Sequence, residues 1–275
     1  MKKNVLTMIV LLVTVGLLSA CGGQGSKASN VEKEELVLGG TIPYSDMLEK
    51  GVKPYLEKKG YSVTIKEFND YVQPNLALKS GSIDANLYQH EVYMNAFAKE
   101  NNMKLSGVIR VPTAPIGIYS NNYDSLDEIE KGSTVAIAND PTNLARGLTV
   151  LRDNGVIEFD EDVDPLRASV KDITKNPKEL VFKPVEAAQL PRTLDAVDVS
   201  AVNGNFAIAA GMDLNEAIVK DKLPEDIINQ VVVNTEDKDA QYVKDIEEAV
   251  RSDEFRKVIE EDFKGFHQPE WFRQK

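Results

Sequence analysis

The sequence has little of what a disulfide or a metal site requires. Its 275 residues contain one cysteine and two histidines, so the chain can form neither an internal disulfide nor a cysteine-rich metal site. His90 and His267 are far apart, and neither stands in a pattern that resembles a pair of metal ligands. We therefore expect no metal and no cofactor.

The common short motifs of catalysis are also missing. The sequence contains no G-x-S-x-G, no G-x-x-x-x-G-K-[ST] and no H-E-x-x-H. The acidic stretch DEDVD (160–164) is similar to a calcium-binding loop, but Pro165 occupies the position of the required glycine and Lys171 that of the bidentate glutamate. We predict a solvated loop there, and a protein that is not an enzyme.

Basic surface is scarce as well. The chain has 32 lysines and arginines against 44 acidic residues, a net charge of −12, and no cluster of basic residues offsets the difference. This balance argues against nucleic acid as a partner. The hydrophobic content of 42% is ordinary for a soluble protein, and the length suffices for two lobes of roughly 100 residues each.

The N-terminus has an apolar run that is short for a membrane span. Lys2 and Lys3 precede an uncharged run of ~14 residues that ends at Leu18, whereas a spanning helix needs roughly 20. The pattern is typical of an export signal, and a permanent transmembrane helix is the less favoured alternative. The motif LSAC (18–21) begins with the last residue of this run and resembles the lipobox of bacterial lipoproteins, in which the cysteine is acylated.

These features predict how the N-terminus is processed. Residues 1–20 would be a lipoprotein signal peptide, and Cys21 would carry the lipid that holds the protein on the extracytoplasmic face of the cell membrane. An unmodified cysteine left after cleavage is the alternative. Residues 21–34 are rich in glycine and serine and would form a flexible tether.

From Glu35 onward, strand patterns alternate with helix patterns, which indicates an α/β fold. The alternation restarts after Pro112 and Pro115, so we expect two lobes. Strands are predicted at 36–41, 61–68, 116–120, 133–140, 180–186, 197–203 and 226–237. Helices are predicted at 44–60, 74–81, 125–132 and 141–155, with one long helix at 238–262.

Aromatic and polar residues recur at the ends of these predicted elements. They suit a small molecule with a polar head and an apolar tail, and they are Tyr71, Tyr88, His90, Tyr93, Asn139, Arg146, Asn203 and Asn229. Each also has a structural alternative, because asparagines at strand ends often cap turns and tyrosines beside helices often pack in a core.

Arg146 has the most specific interpretation of these residues. It lies in the first turns of the helix predicted to begin near Pro141. Its guanidinium can therefore reach the space that the N-terminal N–H groups of the helix face, which makes a natural carboxylate site. A surface ion pair with a neighbouring acid is the alternative.

Several longer motifs resemble the NlpA/MetQ family of methionine-binding lipoproteins over nearly the full length of the chain. They are the lipobox, DYVQPNLAL, DANLYQHEVYMNAF, PIGIYS, IANDPTNLARGL, QLPRTLD, AVNGNFA and a tryptophan near the C-terminus. The resemblance implies a two-lobed periplasmic-binding-protein-like fold of type II, with the ligand cleft between α/β lobes joined by two hinge strands, PIGIYS and INQVVV. Lobe I would comprise 35–115 and lobe II 116–230, with 231–275 returning to lobe I.

The resemblance also implies roles for individual residues. Arg146 would clamp the carboxylate of an amino acid, while Asn203 and Asn229 would hold its carboxylate and ammonium. The pocket for the thioether would be lined by Tyr71, Tyr88, His90 and Tyr93. His90 would be a neutral wall and a hydrogen-bond donor, with packing alone as the alternative.

The function implied is capture of L-methionine and its delivery to an ABC importer made of a permease and an ATPase. The sequence departs from the family pattern at Val92, where the family usually has proline, at NLARGL, and at Phe206, where it has tyrosine. These departures affect side-chain selectivity more than recognition of the head group. A methionine-containing dipeptide or another apolar amino acid remains an alternative ligand, and a surface adhesin or interaction lipoprotein remains an alternative function.

Overall fold

The structure, a computed structural model, describes residues 34–274. The predicted signal peptide, Cys21 and nearly all of the predicted tether lie outside the described residues. Among those described, no helix has the length and apolar character needed to cross a membrane. Two five-stranded sheets form the framework of the described chain.

The first sheet has the strand order β2–β1–β3–β12–β4. β1 is parallel to β2 and β3, whereas β12 is antiparallel to both β3 and β4. These strands are β1 (Glu35–Thr41), β2 (Ser62–Phe68), β3 (Ala85–His90), β4 (Leu105–Arg110) and β12 (Asn229–Asn234). β12, the last strand of the described residues, therefore returns to this sheet and lies between β3 and β4.

The second sheet has the order β11–β5–β10–β6–β9. β6 is parallel to β9 and β10, whereas β5 is antiparallel to β10 and β11. Its strands are β5 (Ile116–Tyr119), β6 (Thr134–Ala138), β9 (Val181–Val185), β10 (Val199–Asn203) and β11 (Val219–Lys220). A small antiparallel ribbon, β7 (Glu158–Phe159) with β8 (Ile173–Lys175), lies between β6 and β9 in the chain.

Helices connect the strands and complete both lobes. They are α1 (Tyr44–Met47), a π-helical segment (Leu48–Val52) that continues into α2 (Lys53–Lys58), α3 (Gln73–Lys79), α4 (Glu91–Glu100), α5 (Pro141–Asp153), α6 (Leu190–Thr193), α7 (Gly204–Ala209), α8 (Gln241–Arg251), α9 (Asp253–Asp262) and α10 (Glu270–Arg273). Short 3₁₀ turns lie at Val170–Asp172, Ala187–Gln189, Leu214–Glu216, Glu225–Ile227 and Thr235–Asp237.

Each sheet has its own core. We call residues 34–110 and 229–274 lobe I, and residues 116–220 lobe II. Leu87 and Phe255 are fully buried in the core of lobe I, where α8 and α9 pack beside the π-helical segment and α2. Ile118 and Leu148 are fully buried in the core of lobe II. Each lobe therefore buries its own set of apolar residues.

The chain crosses between the lobes twice, at residues 111–115 and 221–228. The family resemblance implied hinges in PIGIYS and INQVVV. β5 and β12 instead lie each within a single sheet, and the crossings come immediately before them. Asn229 and Gln230, which the boundary at 230 assigned to lobe II, therefore belong to the sheet of lobe I.

Two predicted helices differ from the structure. Residues 125–132 form turns rather than a helix, and only Leu126 and Ile129 of this segment are buried. The helix predicted at 238–262 is two helices, because Ser252 is extended at its backbone and its hydroxyl accepts a hydrogen bond from the Phe255 N–H as the N-cap of α9. The apolar spacing continues across this break, which explains why one helix was expected.

Candidate ligand-binding cleft

A cavity of about 330 Å³ lies between the two lobes. The side chains around it leave a narrow slot. It is lined by Tyr44, Tyr71, Tyr88, Gln89, His90, Tyr93, Thr113, Ala114, Asn143, Arg146, Asn203, Gly204, Asn205 and Asn229. A narrow cavity lined by aromatic rings and a few convergent polar groups suits a small ligand.

The structure brings most of the predicted site residues to this cavity. Tyr71, Tyr88, His90, Tyr93, Arg146, Asn203 and Asn229 all line it. Asn139 does not: its side chain is exposed, and its backbone N–H donates to the carbonyl of Val185 at the end of the β6–β9 pair. We therefore leave Asn139 out of the site.

Lobe I contributes a wall of three tyrosines. The ring of Tyr71 lies 5.8 Å from those of Tyr88 and Tyr93, measured between centroids. The hydroxyls of Tyr88 and Tyr93 both donate to the carbonyl oxygen of Tyr71 at 2.9 Å. Burial raises the pKa of all three phenols above the usual value of 10.0, so they remain uncharged. The hydroxyls of Tyr88 and Tyr93 are thus engaged within the wall.

His90 links this wall to α4. Its Nδ1 accepts a hydrogen bond from the backbone N–H of Tyr93 at 3.2 Å and caps the helix. The ring proton of the neutral imidazole therefore lies on Nε2, which is buried and has no hydrogen-bond partner among the described residues. Burial, followed by the positive charge of Arg146, holds the pKa of His90 well below 6.5. The side chain thus presents an unused N–H donor at the cavity.

Lobe II contributes charge and amides through α5. Asp140 caps this helix by accepting from the N–H of Asn143 at 2.9 Å. Arg146 lies three residues further, on the same face. Its Nη1 donates to Asn143 Oδ1 at 3.2 Å, while Nη2 and Nε donate to Asp221 Oδ2 at 2.7 and 3.3 Å. A guanidinium has five N–H donors, so one on each terminal nitrogen remains for a ligand.

Two strand ends add asparagines. The Nδ2 of Asn203, at the end of β10, donates to Asn143 Oδ1 at 2.8 Å. The Oδ1 of Asn203 is buried and accepts no hydrogen bond from the described residues. Asn229, at the start of β12, lies opposite His90 in the sheet, and its Nδ2 donates to the carbonyl of Tyr88 at 2.9 Å. The cavity therefore presents an unpaired acceptor, Asn203 Oδ1, and unpaired donors on Arg146 and His90.

Direct contacts join the lobes beside the cavity. The hydroxyl of Tyr71 donates to Asn205 Oδ1 at 2.5 Å, and the ring of Tyr71 lies 4.8 Å from that of Phe206. Asn205 Nδ2 also donates to the hydroxyl of Thr41 at 3.4 Å. These contacts hold the cleft in a closed arrangement.

Sequence reasoning missed several polar residues of this site, among them Asn143, Asn205 and Asp221. Asn143 precedes Arg146 by three positions in a predicted helix, so helical spacing could have identified it. Asn205 follows the predicted Asn203 by two positions, with no signal of its own. Asp221 is 75 positions from Arg146 and carries no local pattern that marks it.

Known proteins resemble this chain over nearly all of the described residues. The NlpA lipoprotein family matches residues 37–271. The chain is 38% identical over 256 residues to the D-methionine-binding lipoprotein MetQ of Salmonella typhi, covering 91% of this chain and 93% of the relative. The corresponding protein of Escherichia coli strain K12 is 37% identical over 256 residues, with the same coverage of both chains.

Solved structures agree in fold. A nutrient-binding protein from Burkholderia cenocepacia bound to methionine is 37% identical, with a TM-score of 0.79 over 84% of this chain and 97% of that one. A putative methionine-binding lipoprotein from Bacillus subtilis is 30% identical, with a TM-score of 0.81 over 86% of this chain and 98% of that one. Together with the family match, these similarities show that the chain belongs to the NlpA lipoprotein family.

Proposed function

We propose that this protein captures L-methionine outside the cell membrane and delivers it to the permease and ATPase of an ABC importer. It acts as a solute-binding lipoprotein and not as an enzyme. The names of its relatives support methionine as the ligand. The lipid anchor rests on Cys21, and a Cys21→Ala variant should be released from the membrane, because it lacks the acyl chains that hold it there.

One observation carries the ligand assignment. A single buried cavity brings the free N–H donors of Arg146 and the unpaired acceptor Asn203 Oδ1 together beside three tyrosine rings. An amino acid head group has a carboxylate that accepts and an ammonium that donates, so it complements both. Asn229 completes this end of the cleft.

The apolar part of the ligand would lie against lobe I. Aromatic rings interact favourably with a polarizable thioether sulfur, which also accepts weak hydrogen bonds. The rings of Tyr71, Tyr88 and Tyr93 and the Nε2–H of His90 supply both kinds of contact. The pocket thus suits methionine better than a side chain without sulfur.

The size of the cavity favours a single amino acid over a dipeptide. Its interior is narrow, so it has little room for a second residue. Ligand entry requires the lobes to separate, and residues 111–115 and 221–228 are the segments where the backbone can bend. A ligand that touches both walls then stabilises the closed arrangement.

Mass spectrometry of the purified protein, followed by calorimetric titration, tests this proposal. The titration uses L-methionine, D-methionine, leucine and glycyl-methionine, because the curated relatives are named for D-methionine. We expect L-methionine to bind most tightly. Tighter binding of glycyl-methionine would identify a methionine-containing dipeptide, instead of methionine, as the ligand. The absence of binding by all four would refute the proposed function.

A further inference from the structure

The cation of the cleft is already paired. Arg146 Nη2 lies 2.7 Å from Asp221 Oδ2, and the two side chains are only 7% and 9% exposed. Neither charge is therefore screened by water, and each affects the other far more than a surface pair would.

The backbone fixes Asp221 in place. Its second oxygen, Oδ1, accepts from the N–H of Ile116 at 2.8 Å, and its own N–H donates to the carbonyl of Ile116 at 3.0 Å. Ile116 begins β5 directly after the first crossing, and Asp221 begins the second crossing. Both carboxylate oxygens are thus engaged, and the side chain cannot turn away from Arg146 without breaking these bonds.

Arg146 and Asp221 carry the main charges beside the cavity, and the two charges neutralise each other. Among the described residues that line the cavity, only Arg146 carries a full charge, since His90 and the tyrosines are neutral. Asp140 lies beyond Asn143 and is bonded to its amide and to the Thr142 hydroxyl. The carboxylate in contact with Arg146 is that of Asp221.

We infer that Asp221 is a specificity-determining residue that restricts the cleft to ligands without net charge. In this proposal, which rests on the proposed function, the Arg146–Asp221 pair is neutral before binding, so a zwitterionic amino acid leaves the closed cleft neutral. A carboxylic acid without an amine, or an amine without a carboxylate, would leave an uncompensated charge in a site shielded from water, which is unfavourable.

Three ligands with the same thioether chain but different net charge separate the effect of ligand charge on affinity from the effect of ligand shape. They are L-methionine, methylthiobutyrate, which lacks the amino group, and methylthiopropylamine, which lacks the carboxylate. Each is titrated into the parent, Asp221→Asn, the charge-retaining Asp221→Glu and the control Asp198→Asn. Asp198 is a lobe II carboxylate that accepts from the backbone and hydroxyl of Thr134, away from the cavity.

Asp221→Asn gives the cleft a net positive charge. We expect the affinity for methylthiobutyrate relative to that for methylthiopropylamine to rise by about tenfold or more, which corresponds to about 1.4 kcal/mol. Asp221→Glu and Asp198→Asn should stay within about threefold of the parent ratio. A general loss of structure would weaken both ligands together and leave the ratio unchanged.

A second comparison covers the case in which Asp221→Asn does not fold. Arg146→Gln and the double variant Arg146→Gln/Asp221→Asn differ only in the charge at position 221. The double variant should favour the acid over the amine by about tenfold more than Arg146→Gln does. An unchanged ratio between folded variants in either comparison overturns the role of Asp221, whereas a parent that binds no methionine overturns the proposed function instead.

Discussion

The two walls of the cleft differ in chemistry although both belong to α/β lobes of similar construction. The lobe I wall is formed mainly by uncharged rings, those of Tyr71, Tyr88, His90 and Tyr93. The lobe II wall carries the charged group, Arg146, and a chain of amides. The difference teaches that most of head-group recognition and side-chain choice can reside in separate lobes, with Asn229 of lobe I completing the head-group end. Only the closed cleft therefore contacts both ends of the ligand.

The way each wall is fixed also differs. The rings are held by packing and by hydroxyls that donate to one carbonyl, that of Tyr71. The lobe II wall is held by ionic and amide hydrogen bonds that start at Asp140 and Asp221. Substitutions in lobe I should therefore change shape, whereas substitutions in lobe II should change charge and the number of available donors.

The largest effect is expected from Arg146→Ala, which removes the charge of the lobe II wall. A ligand carboxylate buried without its cation costs several kcal/mol, so affinity for methionine should fall by about 100-fold or more. The melting temperature should fall as well, because Asp221 keeps a buried charge without its partner. Calorimetry and thermal unfolding measure the two effects.

Arg152→Ala is the matched control for that variant. Arg152 lies on the same helix, but its partner is the neighbouring Asp153 and both side chains are partly exposed. We expect methionine affinity within about twofold of the parent, since exposed ion pairs contribute little. Equal losses in the two arginine variants would mean that α5 as a whole, rather than Arg146, supports binding.

A smaller effect is expected from Tyr88→Ala, which opens the lobe I wall. Removing one ring takes away part of the roughly 1.5–3 kcal/mol that burial of a methionine-sized side chain contributes. Methionine affinity should fall by about tenfold, while affinity for alanine, which does not reach this wall, should fall by less than about threefold. Competition calorimetry with the two amino acids checks this. Equal losses for both would place Tyr88 outside the side-chain pocket.

A further effect concerns the contact between the walls. Tyr71→Phe keeps the ring but removes the hydrogen bond to Asn205, which contributes about 0.5–1.5 kcal/mol. The ligand-free protein should become more extended in small-angle X-ray scattering, because the closed arrangement loses that bond. Tyr61→Phe removes a hydroxyl that donates to Asp245 within lobe I and should leave the scattering unchanged. Identical curves for Tyr71→Phe and the parent would show that this bond does not hold the cleft closed.

A separate effect is a pH dependence of stability from His90. Its pKa is depressed in the folded protein, so the unfolded chain binds its proton first as the pH falls below 6.5. Stability from this group is therefore present above pH 6.5 and is lost toward lower pH, with a slope of at most about 1.4 kcal/mol per pH unit.

The variant His90→Asn removes this titration while retaining an acceptor for the N–H of Tyr93. Between about pH 7 and about pH 5, it should lose less unfolding free energy than the parent in urea titrations. His267→Asn, at the other histidine of the chain, serves as the control and should follow the parent. If His90→Asn and the parent lose stability equally, the buried neutral histidine is not the cause.

The sequence predicted most of the sheet framework because buried strands leave a clear apolar pattern. β6 and α5 follow their predicted ranges, since α5 has both a capping Asp140 and a Pro141 at its start. The helix predicted at 125–132 was wrong, because two buried residues three positions apart fit a turn as well as a helix in so short a segment. The break at Ser252 had a local signal, a serine followed by Asp253 and Glu254, which is typical of a helix start.

The site was predictable as far as local motifs extended. Seven of the eight candidate residues line one cavity, whereas Asn139 does not. Asp221 could not be found, because its pairing with Arg146 depends on the distant antiparallel pairing of β11 with β5. Ligand roles for the seven stay predictions until binding is measured.

The most direct test of the division between the walls is the ratio of methionine to leucine affinity in the parent, Arg146→Ala and Tyr88→Ala, measured by calorimetric titration. Arg146→Ala should weaken both amino acids and keep their ratio within about threefold of the parent, while Tyr88→Ala should change that ratio by more than about threefold. A ratio that changes in Arg146→Ala as much as in Tyr88→Ala would contradict the separation of head-group recognition from side-chain choice.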